Sequence, residues 1–149
     1  MPFAAREIFS GSSIVFRIPA RLTDTRLLGL SVHSLFANLG FDKIQTYHLE
    51  LAIVEAANNI VTHSYQEEEE KYISMKFSTT DDRVTCTFVD SGRFVNFLKD
   101  NGLSDICTAS IRSLPPSSRG ICIICDVMDE VSYRRAGDKN VLTLVKYLS

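Results

Sequence analysis

Ile14, Phe16 and Ile18 stand at alternate positions between Ser13 and Pro19, with Val15 and Arg17 between them. This period of two predicts a short strand, an edge or second strand, ended by Pro19. From Asp24 the spacing changes: Leu27, Leu28, Leu30, Leu35 and Phe36 recur near helical intervals, and Gly40 stops the run. Asp24 is placed to cap this helix, which extends to about Leu39, and Asp42 to start a second one. The second helix runs to about His63 and is apolar around most of its circumference, with one narrow polar strip.

Alternation returns in Tyr72 to Ser78 and Arg83 to Val89, and Thr80, Asp81 and Asp82 supply the turn of an antiparallel hairpin. Between Asp90 and Ser118 the pattern weakens, interrupted by Gly92, Gly102, Pro115 and Pro116, with at most one short helix in Ser104 to Ser113. A loop of that length in a compact domain is commonly a functional lid or a disordered insertion. Gly120 to Met128 reads as a buried helix, Glu130 to Arg135 as a strand and Val141 to Leu148 as a final strand.

The polar strip on the second helix carries the candidate chemistry. Glu55 and Asn59 are four residues apart, so at about 100° per residue they point within roughly 40° of one another, with Thr62 and His63 nearby. Burying a carboxylate, a carboxamide and an imidazole among Val54, Ile60 and Val61 costs several kcal/mol unless something pairs with them. A metal-phosphate ligand would be such a partner; hydrogen bonds to neighbouring loops would be another.

Composition narrows the classes of function. At 149 residues and 45% hydrophobic content, the chain suits one domain able to bury its own core. A net charge of −2 argues against nucleic-acid binding through clustered Lys and Arg, so any role in transcription is expected to act through protein. The first ten residues do not read as a secretory signal, and no run approaches the roughly 20 apolar residues of a membrane span. A soluble, cytoplasmic protein is expected, without membrane or direct nucleic-acid contact. Of the four cysteines, three lie in apolar stretches, and reduced thiols are expected. Cys122 and Cys125 form one C-x-x-C, which lacks the second pair of a zinc ribbon. No P-loop G-x-x-x-x-G-K-[ST] occurs, nor the Gly-rich and His-Arg-Asp motifs of eukaryotic protein kinases.

The order Glu55-Ala-Ala-Asn-Asn59-Ile-Val-Thr-His63-Ser-Tyr65 resembles the N box of the RsbW-like anti-sigma-factor serine kinases, a branch of the GHKL ATPases. Asp90-Ser91-Gly92 at a strand end resembles that family's first glycine box. Ser118-Arg119-Gly120-Ile121, followed by Met128-Asp129-Glu130-Val131, resembles its second. The motifs stand in the family's order across roughly residues 14 to 148, which is more specific than any one of them.

The resemblance implies one histidine-kinase-like ATPase domain over residues 1–149, with a lid at about 93–118. Its fold would be the α+β two-layer Bergerat sandwich, a mixed, mostly antiparallel sheet covered on one face by helices. ATP and Mg²⁺ are the implied cofactors. Glu55 would be catalytic, accepting a proton from an incoming serine hydroxyl. Asn59 would ligate Mg²⁺ through its side-chain oxygen. His63, Arg119 and Gly120 would serve the nucleotide, the last two at the phosphates. Asp90 would accept from the adenine amino group, with Gly92 admitting the base. The implied partners are a sigma factor and a STAS-domain anti-anti-sigma factor, the serine substrate, acting on a homodimer.

Three positions depart from the family pattern. Arg93 and Phe94 follow Gly92 in place of a second glycine, Ser118 replaces a glycine, and Lys139 and Asn140 stand where Gly-Thr commonly enters the final strand. Asn140 could still supply a polar contact to the nucleotide. These departures motivate the rival reading, a module that holds its partner, with or without nucleotide, and transfers no phosphate.

Overall fold

A computed structural model describes residues 11–66, 68, 70–94 and 119–148. Most of the expected lid, residues 95–118, lies outside them. The elements are β1 (Ser13–Pro19), α1 (Thr25–Asn38), α2 (Lys43–Asn59), a π-helical turn (Ile60–Ser64), β2 (Tyr72–Thr79), β3 (Arg83–Asp90), α3 (Arg119–Val127), β4 (Glu130–Ala136) and β5 (Lys139–Tyr147).

The strands form one sheet in the order β1-β2-β3-β5-β4, with β1 at an edge. Every described pairing is antiparallel, so no parallel pair bears out the mixed sheet. Strand alternation then decides which residues share a face. One row crosses the whole sheet, Phe16 opposite Met75, Met75 opposite Phe88, Phe88 opposite Leu142 and Leu142 opposite Tyr133. This face packs with Leu28, Val32 and Phe36 of α1, Leu49, Ile53 and Ala56 of α2, and Ile124 of α3 in one buried core. Ser74, Ser78, Thr85, Thr87 and Thr143 alternate with those core residues along β2, β3 and β5 and are only partly buried. The result is the expected two-layer α+β architecture.

Local chemistry sets the helix ends. Asp42 and Gln45 make a reciprocal capping box: Gln45 N–H donates to Asp42 Oδ1 at 2.8 Å, and Asp42 N–H to Gln45 Oε1 at 2.9 Å. Asp24 occupies the N-cap position of α1, but its side chain makes no capping bond and pairs with Arg21 instead. After α1, Gly40 takes φ +94°, a conformation open to glycine that turns the chain toward α2. Leu27 and Leu30, counted by periodicity with the apolar set, are 52% and 53% exposed, while Leu28, Val32 and Phe36 carry the α1 packing.

Three further findings differ from the sequence reading. The α-helical pattern of α2 stops at Asn59, and Tyr65 N–H bonds Ile60 O at 2.9 Å in a π closure. β5 begins at Lys139, two residues before the expected start, which places Asn140 inside the sheet. Cys86 is buried and free, whereas Cys125 is half of a disulfide, so reduced thiols do not hold throughout. Among the described residues no helix is long and apolar enough to cross a membrane.

Candidate functional site

Glu55 and Asn59 lie one turn apart on α2, both half-buried, and face the first turn of α3. The measure of their proximity is Gly120. A Cβ built there would stand 2.8 Å from Glu55 Oε2 and 3.7 Å from both Asn59 Nδ2 and Oδ1. The structure thus brings together an acid, an amide and a bare backbone turn, from segments more than sixty residues apart in sequence.

Asn59 Nδ2 is buried and has no hydrogen-bond partner. Its neighbour Asn58 is structural, accepting from Thr25 Oγ1 at 2.6 Å. An unsatisfied buried amide costs about 1–3 kcal/mol, which a native fold tolerates where a ligand completes it. Nitrogen and oxygen of a carboxamide are exchangeable by a flip, so either atom can take the unpartnered position near Gly120. An exchangeable amide beside a carboxylate and a bare backbone turn is a donor set suited to a metal-phosphate group. Among the described residues no group of three or more His, Cys, Asp or Glu side chains gathers.

The second part of the site is the end of β3. Asp90 is 3% exposed, and its Oδ1 accepts from Gly92 N–H at 2.9 Å and from Asn140 Nδ2 at 2.8 Å. Burial pushes its carboxyl above the usual aspartate value, opposed by the bonds from Asn140 and Gly92 and by the charges of Arg135 and Lys139. Asp90 is thus a buried carboxylate with a polar cradle on one oxygen.

The loop after Asp90 is stitched to the π-turn. Arg93 N–H donates to Ser64 O at 2.9 Å and Arg93 Nε to His63 O at 3.0 Å. Ser91 N–H donates to Tyr65 Oη at 2.9 Å, and Tyr65 Oη donates to Tyr72 O at 2.8 Å. A Cβ on Gly92 would lie 2.4 Å from Ser64 O and 2.6 Å from Ser64 C. The close approach that requires glycine here is therefore to the protein's own backbone.

His63 is exposed, as is Thr62, so the imidazole is not among the buried polar groups. The π closure interrupts the 100° step on which the expectation rested. Arg119 opens α3, with its side chain outside the described part. Asn140 is wholly buried and faces Asp90. Sequence reasoning assigned no role to Tyr65, to Arg135, or to Phe94, which stacks on Tyr133 with centroids 5.2 Å apart. Only the register of β3, β5 and β4 shows the place of Arg135.

Residues 18–146 match the family model of the histidine kinase-like ATPase domain. The chain is 29% identical over 138 residues to the serine-protein kinase RsbW of Bacillus mycoides (strain KBAB4), covering 91% of this chain and 84% of that protein. It is 24% identical over 138 residues to the serine-protein kinase RsbW of Bacillus subtilis (strain 168), covering 91% and 86%. Among solved structures it is similar to the RsbU and RsbW domains of Rv1364c from Mycobacterium tuberculosis, with a TM-score of 0.61 at 14% identity. That alignment covers 91% of this chain but 31% of the other, and at such identity it bears on the fold.

Proposed function

From the premise that this chain belongs to the histidine kinase-like ATPase family, we propose that it is an ATP-dependent serine kinase and anti-sigma factor of the RsbW kind. The observation that carries the proposal is the buried, unpartnered Asn59 Nδ2 beside Glu55 and the bare turn at Gly120. The curated relatives named as serine-protein kinases, aligned over most of their length, support the reaction class.

In this reading Mg·ATP supplies the γ-phosphoryl group and the charge neutralisation its transfer needs. Asn59 ligates the cation without adding charge, and the backbone at Gly120 approaches the phosphates because no Cβ stands there. Glu55 accepts the proton of a serine hydroxyl as the new O–P bond forms and the bond to the ADP oxygen breaks. Asp90 accepts from the adenine amino group, a donor guanine lacks at that position.

The serine belongs to a STAS-domain anti-anti-sigma factor. In its unmodified form it competes with a sigma factor for a cytoplasmic dimer of this protein, and once phosphorylated it is released. Incubation with labelled ATP and the antagonist tests this. Serine labelling in the parent, abolished by Glu55→Ala, supports the kinase. No labelling in the parent leaves the binding module as the surviving reading.

A further inference from the structure

Antiparallel register puts Asp90 opposite Asn140, and Asn140 opposite Arg135, in one row across β3, β5 and β4. Phe88 and Leu142, two residues along, lie in the core, so by alternation the row points to the same helix-covered face. Asn140 sits at its centre with no exposure. Its Oδ1 accepts from Arg135 Nη1 at 2.7 Å. Its Nδ2 donates to Asp90 Oδ1 at 2.8 Å, to Gly92 O at 3.0 Å and to Arg93 O at 3.1 Å.

The amide cannot be reversed. A guanidinium only donates, and a carboxylate and two carbonyls only accept, so the oxygen must face Arg135 and the nitrogen Asp90. Arg135 also donates through Nη1 to Gly92 O at 2.9 Å and through Nε to Gly137 O at 3.1 Å. It ties the β4–β5 turn, the Asp90 loop and the amide into one frame. Among the described residues, the hydrogen bonds to the Asp90 carboxylate all fall on Oδ1.

We infer that Arg135 and Asn140 form a positioning relay that fixes the Asp90 carboxylate, ionised and in one rotamer, with Oδ2 reserved for the amino group of an adenine. The inference rests on the nucleotide reading above and changes the role of Asn140, which acts through Asp90 instead of touching the ligand. The relay passes the influence of an exposed cation to a buried anion through one oriented amide. Arg135 on β4 and Lys139 on β5 are the charges that act on Asp90. The other titratable groups of the site are Glu55 on α2, exposed His63 and buried Tyr65 at the π-turn, and exposed Arg93 on the loop after Asp90.

Two measurements on the full chain test it. The first follows the Asp90 carboxyl carbon by NMR against pH, without nucleotide, in the parent, Asn140→Leu and Arg135→Gln. Removing a donor to the ionised form must raise the midpoint, most in Asn140→Leu and less in Arg135→Gln. The second compares the affinity for ATP with that for purine riboside triphosphate, which lacks the 6-amino group. The parent is expected to prefer ATP by about tenfold or more, and Asn140→Leu to bring the ratio close to one with little change for the purine analogue. The acidic limb of ATP binding moves to higher pH in the variant.

An unmoved Asp90 midpoint, or equal weakening of both nucleotides, overturns the relay and leaves Asn140 a packing residue. If Asn140→Leu does not fold, Arg135→Gln reads the same two quantities from an exposed position, and its indifference in both overturns the relay. If the parent binds neither nucleotide, the kinase reading fails, and the carboxyl titration alone decides whether the relay exists.

Discussion

Alanine at Gly120 and at Gly92 adds the same single carbon but should produce opposite phenotypes. At Gly120 the new Cβ lies 2.8 Å from Glu55 Oε2, the tip of a flexible side chain. To reach an ordinary separation of 3.4 Å the carboxylate must withdraw by about 0.6 Å, which a small torsional change supplies. The fold loses nothing, and alanine in a helical first turn is no worse than glycine. The reaction loses its geometry: a misplacement approaching 1 Å costs up to about 10²-fold, so a drop of about 10- to 100-fold in serine phosphorylation is expected at unchanged Tm. At Gly92 the new Cβ meets Ser64 O at 2.4 Å and Ser64 C at 2.6 Å, main-chain atoms held by the Arg93 N–H. The loop and π-turn must part, at a cost of about 2–3 kcal/mol, or about 5–10 °C in Tm for a chain of this size. Thermal unfolding and phosphorylation rates, measured on both variants, separate the two. A Gly120→Ala protein with parental activity, or a Gly92→Ala protein with parental Tm, would refute the reasoning.

Asp90→Asn keeps an acceptor for Gly92 and Asn140 while removing a buried charge, so its urea midpoint at pH 7 should equal or exceed the parent's as its ATP affinity falls about tenfold or more. The sign of the pH dependence follows from the raised carboxyl: the Asp90 contribution to folding is fully present below the ordinary aspartate value and is lost as pH rises through the higher folded value. The difference in stability between parent and Asp90→Asn should therefore shift toward the variant across that window, and a flat difference would contradict it. Tyr65→Phe removes the hydroxyl that joins Ser91 N–H to Tyr72 O. It should cost about 1–2 kcal/mol and speed amide exchange at Ser91, which NMR exchange would detect. The Cys86 thiol, pushed up to about 12 by burial, should resist iodoacetamide at pH 8 until the protein unfolds; native labelling by mass spectrometry would contradict its place in the core.

The periodicities carried most of the architecture. Alternation in β2 and β3 and the helix start at Asp42 express local physics, and the structure places those elements where the patterns do. What failed was whatever tertiary contact decides. The π-turn at Ile60–Ser64 costs α2 its regular closure and is held by bonds from Arg93, which no local pattern reveals. Glu55, Asn59 and Gly120 were legible because the first two share a helix and the third lies in the first turn of another. The company of Asn140 was not, since it depends on a β5 start two residues earlier than the apolar run suggests and on the register that sets it between Asp90 and Arg135.

The proposed nucleotide site is best tested at the orphaned Asn59 amide. In a ¹⁵N–¹H spectrum of the full chain, the account predicts that the Asn59 side-chain NH₂ pair shifts on addition of Mg·ATP, saturably and not with Mg²⁺ alone. A pair that stays in place while Mg·ATP is raised to millimolar concentration would contradict the claim that this site holds the nucleotide.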